Sequence, residues 1–153
     1  MLASAAIGAL QGAIEVFVAE TRARTTRGAV VAGGKSVAQF PHVQSRLGEA
    51  KAALLAADEL AWRILDRAAL GEPPSLESRI EARLCQAFAV RLAEQGIDAL
   101  YGAVGGAGLS EDAHVQRAWR DIHAVAKHIS LNWDAVGAMA GQHALGLDPQ
   151  GQF

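Results

Sequence analysis

The side chains best able to do chemistry cluster toward the C-terminal end of the chain. Asp121, Val125, His128 and Asn132 follow one another at steps of four, three and four, so on one continuous helix they share a face flanking an apolar stripe. Arg117 and Asp121 are spaced i,i+4 and Arg120 offers a second cation, so arginine can hold the carboxylate while His128 points elsewhere. Spacing alone favours a solvated helix face, with His128 an ordinary satisfied side chain.

Other chemistries find less in the sequence. A di-metal carboxylate site in a helical bundle needs two Glu-x-x-His patterns and two further glutamates. Only Glu111 to His114 matches, at a helix start where an acid is expected to cap, and no His-Glu-x-x-His or cysteine pair occurs. No metal is expected. Cys85 falls inside a helical segment with no Gly-x-Ser-x-Gly elbow anywhere, and it reads as core filling. The glycines from Gly102 to Gly108 resemble a phosphate cradle, but they follow a helix and not a strand, which excludes the dinucleotide fold and the P-loop. They read as a flexible connector, or as an edge where exposed N–H groups leading into a helix approach an anion such as a pyrophosphate.

Helices must position these residues. In 153 residues there are 33 alanines, one tyrosine and four phenylalanines, with 51% hydrophobic residues, a composition that favours helix and nearly excludes an all-β fold. The length suits one domain over residues 1–153. A net charge of -2 gives no electrostatic footprint for nucleic acid. The single Cys85, with no secretory signal, suggests a reducing, cytoplasmic setting. Residues 2–19 are apolar but contain Gln11 and Glu15 and lack a basic start, so they read as a buried helix and not as a membrane span or signal.

Helix one is expected from Leu2 to about Arg22, followed by a loop over residues 25–40 that holds Gly28, Gly33 and Gly34. Pro41 opens helix two, where Val43, Leu47, Ala50, Leu54, Ala57, Ala61, Leu65 and Ala68 draw an apolar stripe. Ser75 caps helix three, which runs to about Tyr101 with Leu76, Ile80, Leu84, Ala87 and Phe88 inward. Ser110, Glu111 and Asp112 open helix four, whose stripe runs through Val115, Trp119, Ile122, Ala126, Ile129, Trp133 and Val136. Four long helices with short connections predict an all-α, up-down-up-down four-helix bundle.

The order of the motifs carries a resemblance. Arg24-Thr25-Thr26-Arg27-Gly28, then Val43-Gln44-Ser45-Arg46-Leu47-Gly48-Glu49-Ala50, then Gly105-Gly106-Ala107-Gly108, then Arg117-Ala118-Trp119-Arg120-Asp121 resembles the C-terminal helical domain of the acyl-CoA dehydrogenase superfamily. From Gln116 to Pro149 the chain is most similar to the flavin-dependent monooxygenase branch, the oxygenase components of two-component aromatic hydroxylases. Many dehydrogenases of the superfamily carry a glutamate base just after the Arg-Asp pair, to take a proton from the carbon next to a thioester. Here that stretch is Lys127-His128-Ile129-Ser130, with no acid.

The resemblance implies a catalytic His128 near the flavin, hydrogen-bonding the oxygen held there or the substrate oxygen. It implies that Arg24 reaches the pyrophosphate of a neighbouring subunit's flavin, although Arg27-Gly28 stand where the family has Phe-Gly. It implies flavin contact at Gly105, Gly106 and Gly108, although Gly102 replaces the usual glutamine, and it gives Arg120 and Asp121 a mainly structural role. Reduced FMN or FAD, a separate flavin reductase, an aromatic small molecule and a homo-oligomer, dimer or tetramer, follow as the expected cofactor and partners. The apolar surface of helices one and four, with Trp119 and Trp133, is the expected oligomer contact. The superfamily's N-terminal helical and middle β domains have no counterpart in these residues, so the chain by itself should lack a complete active site. Rival expectations are an acyl-CoA dehydrogenase fragment with its base elsewhere and a non-catalytic oligomerisation bundle.

Overall fold

A computed structural model describes residues 1–26, 34–71 and 73–152. The expected loop residues Arg27, Gly28 and Gly33 lie outside the described residues. Among those described, the chain is all-helical: α1 (Ala3–Ala23), α2 (Pro41–Ala69), α3 (Leu76–Val104), α4 (His114–Ala126) and α5 (Trp133–Ala144), with short 3-10 turns at Val37–Gln39 and Gly105–Leu109.

Local chemistry sets most of these boundaries. Pro41 stands at the first turn of α2, where its missing N–H costs no helical bond. The Ser75 side chain accepts from the Ser78 N–H at 3.1 Å, capping α3 as its residue type predicts. Between α1 and α2 the chain returns through an isolated antiparallel bridge of Thr25 with Ser36.

α3 is the central element. At Gly96 it meets two neighbours at once: a Cβ there would lie 2.9 Å from Leu10 Cδ2 and 3.3 Å from Ala53 Cβ. Arg24 reaches Val104 on the same side, so α1 runs parallel to α3. The pairing of Arg63 and Arg67 with Glu81 runs α2 antiparallel to it. Trp119 and His123 against Asp98 and Glu94 run α4 antiparallel as well. Leu10, Val90, Ile97, Leu100, Val115 and Ile122 are fully buried in the shared core, where each apolar side chain contributes about 1.5–3 kcal/mol. α1 is long and apolar enough to cross a membrane by length and composition, and its buried face, including Leu10 and Phe17, belongs to this core.

Two boundaries depart from the sequence expectation. Helix four is two helices, since α4 stops at Ala126 and α5 starts at Trp133. The Asn132 side chain accepts from the Asp134 and Ala135 N–H groups at 3.0 and 3.3 Å, so a short polar side chain competes with helix continuation and starts a new element. The apolar stripe stays in phase across the break, which hides it from periodicity. Its member Ile129 is 74% exposed in the turn, while Trp133 and Val136 pack on a second small cluster with Ile80, Ala87 and Met139. Ser110, Glu111 and Asp112 do not cap α4. Its N-cap is Ala113, without a side-chain bond, and Ser110 instead closes the 3-10 turn and accepts the Ala113 N–H through its carbonyl. The far end of the α2 stripe is also uncovered, with Leu65 46% exposed.

Candidate functional site

The structure brings Arg24 together with the glycine element. Arg24 Nη1 donates to the Val104 carbonyl at 2.6 Å and Nη2 to the Ala103 carbonyl at 3.5 Å. A cation at the last carbonyls of α3 meets the negative end of the helix dipole. The guanidinium has five N–H donors, and those not facing these carbonyls remain for an anion. Gly105 follows Val104 directly.

The three predicted glycines have different reasons to be glycine. Gly105 adopts φ 73 and ψ -162 as the C-cap of α3, a region open almost only to glycine. Gly108 is buried, and a Cβ there would lie 3.0 Å from Val104 Cγ1, so an alanine would crowd that side chain. Gly106 is exposed, has an ordinary φ, and a Cβ there would meet nothing within 4 Å. Neither packing nor backbone conformation explains Gly106. Exposed backbone at Gly105 and Gly106 next to a guanidinium is chemically suited to an anionic group. One turn into α4, Gln116 Oε1 is buried without a donor among the described residues.

His128 lies elsewhere. It is exposed in the turn between α4 and α5, separated from the glycine end by the length of α4, roughly 20 Å at 1.5 Å per residue. It does not share a helical face with Asp121 and Asn132, because the helix has ended and Asn132 caps α5. Its Nδ1 accepts the Ser130 N–H at 3.2 Å, and Nε2 has no partner among the described residues. Arg117, Arg120 and Asp121 form no ion pair with one another, so the expected arginine hold on Asp121 is absent.

A network that the sequence reading missed joins α3 to α4. His123 places Nδ1 3.1 Å from Glu94 Oε1 and Nε2 3.0 Å from Asp98 Oδ1. The Trp119 indole N–H donates to the same Asp98 oxygen at 2.6 Å, and its ring stacks on Tyr101 with centroids 5.6 Å apart. The readable signal was two i,i+4 pairs, Glu94 with Asp98 and Trp119 with His123, on helices expected to be neighbours. Trp119 is therefore occupied within the chain. Trp133 also packs internally, with its ring 5.2 Å from Phe88 and the Arg91 guanidinium 5.0 Å from it. Both tryptophans expected at the oligomer contact thus have partners within the chain while staying partly exposed. Large exposed apolar side chains are spread over the chain, among them Leu109, Ile129 and Leu145, and on α2 Leu55 and Trp62 lie seven residues apart on one face.

A groove of about 750 Å³ opens between the end of α2 and the start of α3 and includes Arg63, Arg67, Glu81 and Cys85. None of the predicted site residues lines it. Arg63 donates to Glu81 through Nε and Nη2 at 2.9 and 2.6 Å, and Arg67 donates to the other carboxylate oxygen. The Arg63 hydrogen bond, reinforced by the Arg67 charge, holds Glu81 below the usual carboxylate range. Burial pushes the Cys85 thiol up, which makes it a poor nucleophile and agrees with core filling.

Comparison with known proteins gives these features a family. The acyl-CoA dehydrogenase C-terminal domain model matches residues 1–133. The FADH(2)-dependent resorcinol hydroxylase oxygenase component of Rhizobium sp. (strain MTP-10005) is 44% identical over an alignment of 160 positions, covering 99% of this chain and 39% of that protein. The oxygenase subunit HsaA of a flavin-dependent monooxygenase from Mycobacterium tuberculosis (strain ATCC 25618 / H37Rv) is 31% identical, covering 94% of this chain and 36% of its own. Among solved structures, XiaF from Streptomyces sp. in complex with FADH2 and glycerol superposes with a TM-score of 0.86 at 26% identity, covering 99% of this chain and 38% of that one. The chain thus spans less than two-fifths of the length of these relatives. The chain belongs to the acyl-CoA dehydrogenase C-terminal domain family, among relatives that are oxygenase components of flavin-dependent hydroxylases.

Proposed function

We propose that this chain is the C-terminal helical part of the oxygenase of a two-component flavin-dependent monooxygenase that hydroxylates a phenolic or related aromatic compound. A separate reductase delivers reduced FMN or FAD, and the assembly is a cytoplasmic homo-oligomer. In this reading α1 to α4 are the up-down-up-down bundle of the family and α5 is an added brace on α3. What carries it is the kinship with flavin-dependent oxygenase components, together with His128 in an acid-free turn where the resemblance implies a glutamate base in the dehydrogenases.

Reduced flavin, when bound, supplies the activation of O2 for transfer to an aromatic ring. The residues of this chain bind and orient. Arg24 and the exposed backbone of Gly105 and Gly106 hold the anionic part of the cofactor. Gly108 contributes by packing that turn against Val104. His128 hydrogen-bonds an oxygen in the reaction centre from the far end of α4. The separation of these two regions along α4 supports one subunit contributing Arg24 and its neighbour contributing His128, which ties activity to the oligomer. Leu55 and Trp62 on α2 offer apolar surface for that association.

The test is His128→Ala in the full-length oxygenase, supplied with reduced flavin, O2 and a phenol such as resorcinol. Product per flavin oxidised should fall and hydrogen peroxide should rise in step. Unchanged coupling removes the assignment.

A further inference from the structure

We propose that the turn between α4 and α5 fixes His128 in the tautomer with its proton on Nε2, so that it presents a hydrogen-bond donor and cannot take a proton through that nitrogen. The Ser130 backbone N–H donates to His128 Nδ1 at 3.2 Å. A neutral imidazole carries one proton, and an Nδ1 that accepts leaves that proton on Nε2. The imidazolium has a second N–H at Nδ1, which would confront the Ser130 N–H, so ring protonation breaks this contact.

The backbone is held on both sides of His128. His128 N–H donates to the Val125 carbonyl at 3.0 Å, and the His128 carbonyl accepts from Leu131 and Asn132 N–H groups at 2.8 and 2.9 Å. Leu131 is buried in the main core, and Asn132 is committed to capping α5. The backbone of residues 128–132 is therefore pinned by a core anchor and a cap, and the Ser130 N–H stays aimed at Nδ1. Nε2 has no other partner among the described residues and is available outward.

This inference rests on the hydroxylation reading for its consequence. A base that removes a phenol proton must face the phenol with an unprotonated nitrogen, and here Nδ1 is occupied and Nε2 carries hydrogen. His128 then serves by donating to an anionic oxygen, and another group takes the substrate proton. The Ser130 N–H is the positioning group, and its hydroxyl is dispensable.

The tautomer is read directly by nitrogen NMR of 15N-histidine-labelled protein at pH 8, with His128 assigned by its loss in His128→Asn. Expected is a protonated Nε2 with an unprotonated Nδ1, unchanged in Ser130→Ala, which keeps the N–H. A protonated Nδ1, or fast averaging of both forms, overturns the proposal. In the full-length oxygenase, His128→Gln places an amide N–H near the Nε2 position, while His128→Asn reaches only the Nδ1 position. Gln should retain several-fold more coupled hydroxylation than Asn, and equal or reversed losses overturn the donor role. Wild-type coupling in both variants would instead overturn the part given to His128 in hydroxylation, and the spectrum alone then decides the tautomer.

Discussion

Arg24 and Val104 are 80 positions apart in sequence, and the guanidinium of one donates to the carbonyl of the other at 2.6 Å. This contact ties the end of α1 to the end of α3 beside Gly105 and sets the cation where an anionic ligand would lie against the turn. Arg24→Ala should lower stability by about 1.5–3 kcal/mol, the range for hydrogen bonds to a charged group, and weaken flavin binding as well. Arg24→Lys should keep the charge but lose the fork. Urea unfolding and flavin titration of the three proteins check this, and an unaltered unfolding midpoint in the alanine variant would count against it.

A glycine-to-alanine series separates packing from ligand approach. Gly105→Ala should cost about 1–3 kcal/mol in backbone strain, and Gly108→Ala and Gly96→Ala about 1–3 kcal/mol each from overpacking. Gly106→Ala should leave the thermal midpoint within a degree or two yet raise the flavin dissociation constant. If Gly106→Ala binds flavin normally, the turn is a connector only.

Asn132→Ala should cost about 0.5–2 kcal/mol by removing the α5 cap. The same change should loosen the turn that carries His128, so hydrogen exchange at Ser130 and Leu131 should quicken more than in α1. Uniform change across the chain would show that the cap does not control the turn.

The pairing of Glu81 with Arg63 and Arg67 predicts a pH dependence. The folded carboxylate titrates below its unfolded value, so its contribution is fully present above the unfolded value and is lost as pH falls through the folded one. Its arginine partners are about half exposed, so the effect is small. Glu81→Gln should flatten the acid limb of unfolding free energy against pH and leave stability near neutrality lower. Parallel limbs in the two proteins would contradict the pairing.

The sequence by itself determined the helical class, the spans of α1, α2 and α3, and the places where they stop. Alanine richness, Pro41, Ser75 and the apolar stripes act locally, within a turn or two of chain. Its motif order also determined the family. The break before Asn132 was hidden because the stripe from Ala126 through Ile129 to Trp133 keeps helical phase, and periodicity does not register a side chain that caps instead of continuing. Only tertiary structure decided that Arg24 meets Val104, that His123 sits between Glu94 and Asp98, and that Trp119 and Trp133 are occupied internally. Those relationships depend on which faces of separate helices meet. Side chains up to 80 positions apart become neighbours only when burial of Leu10, Ile97 and Ile122 fixes how the helices lie against one another.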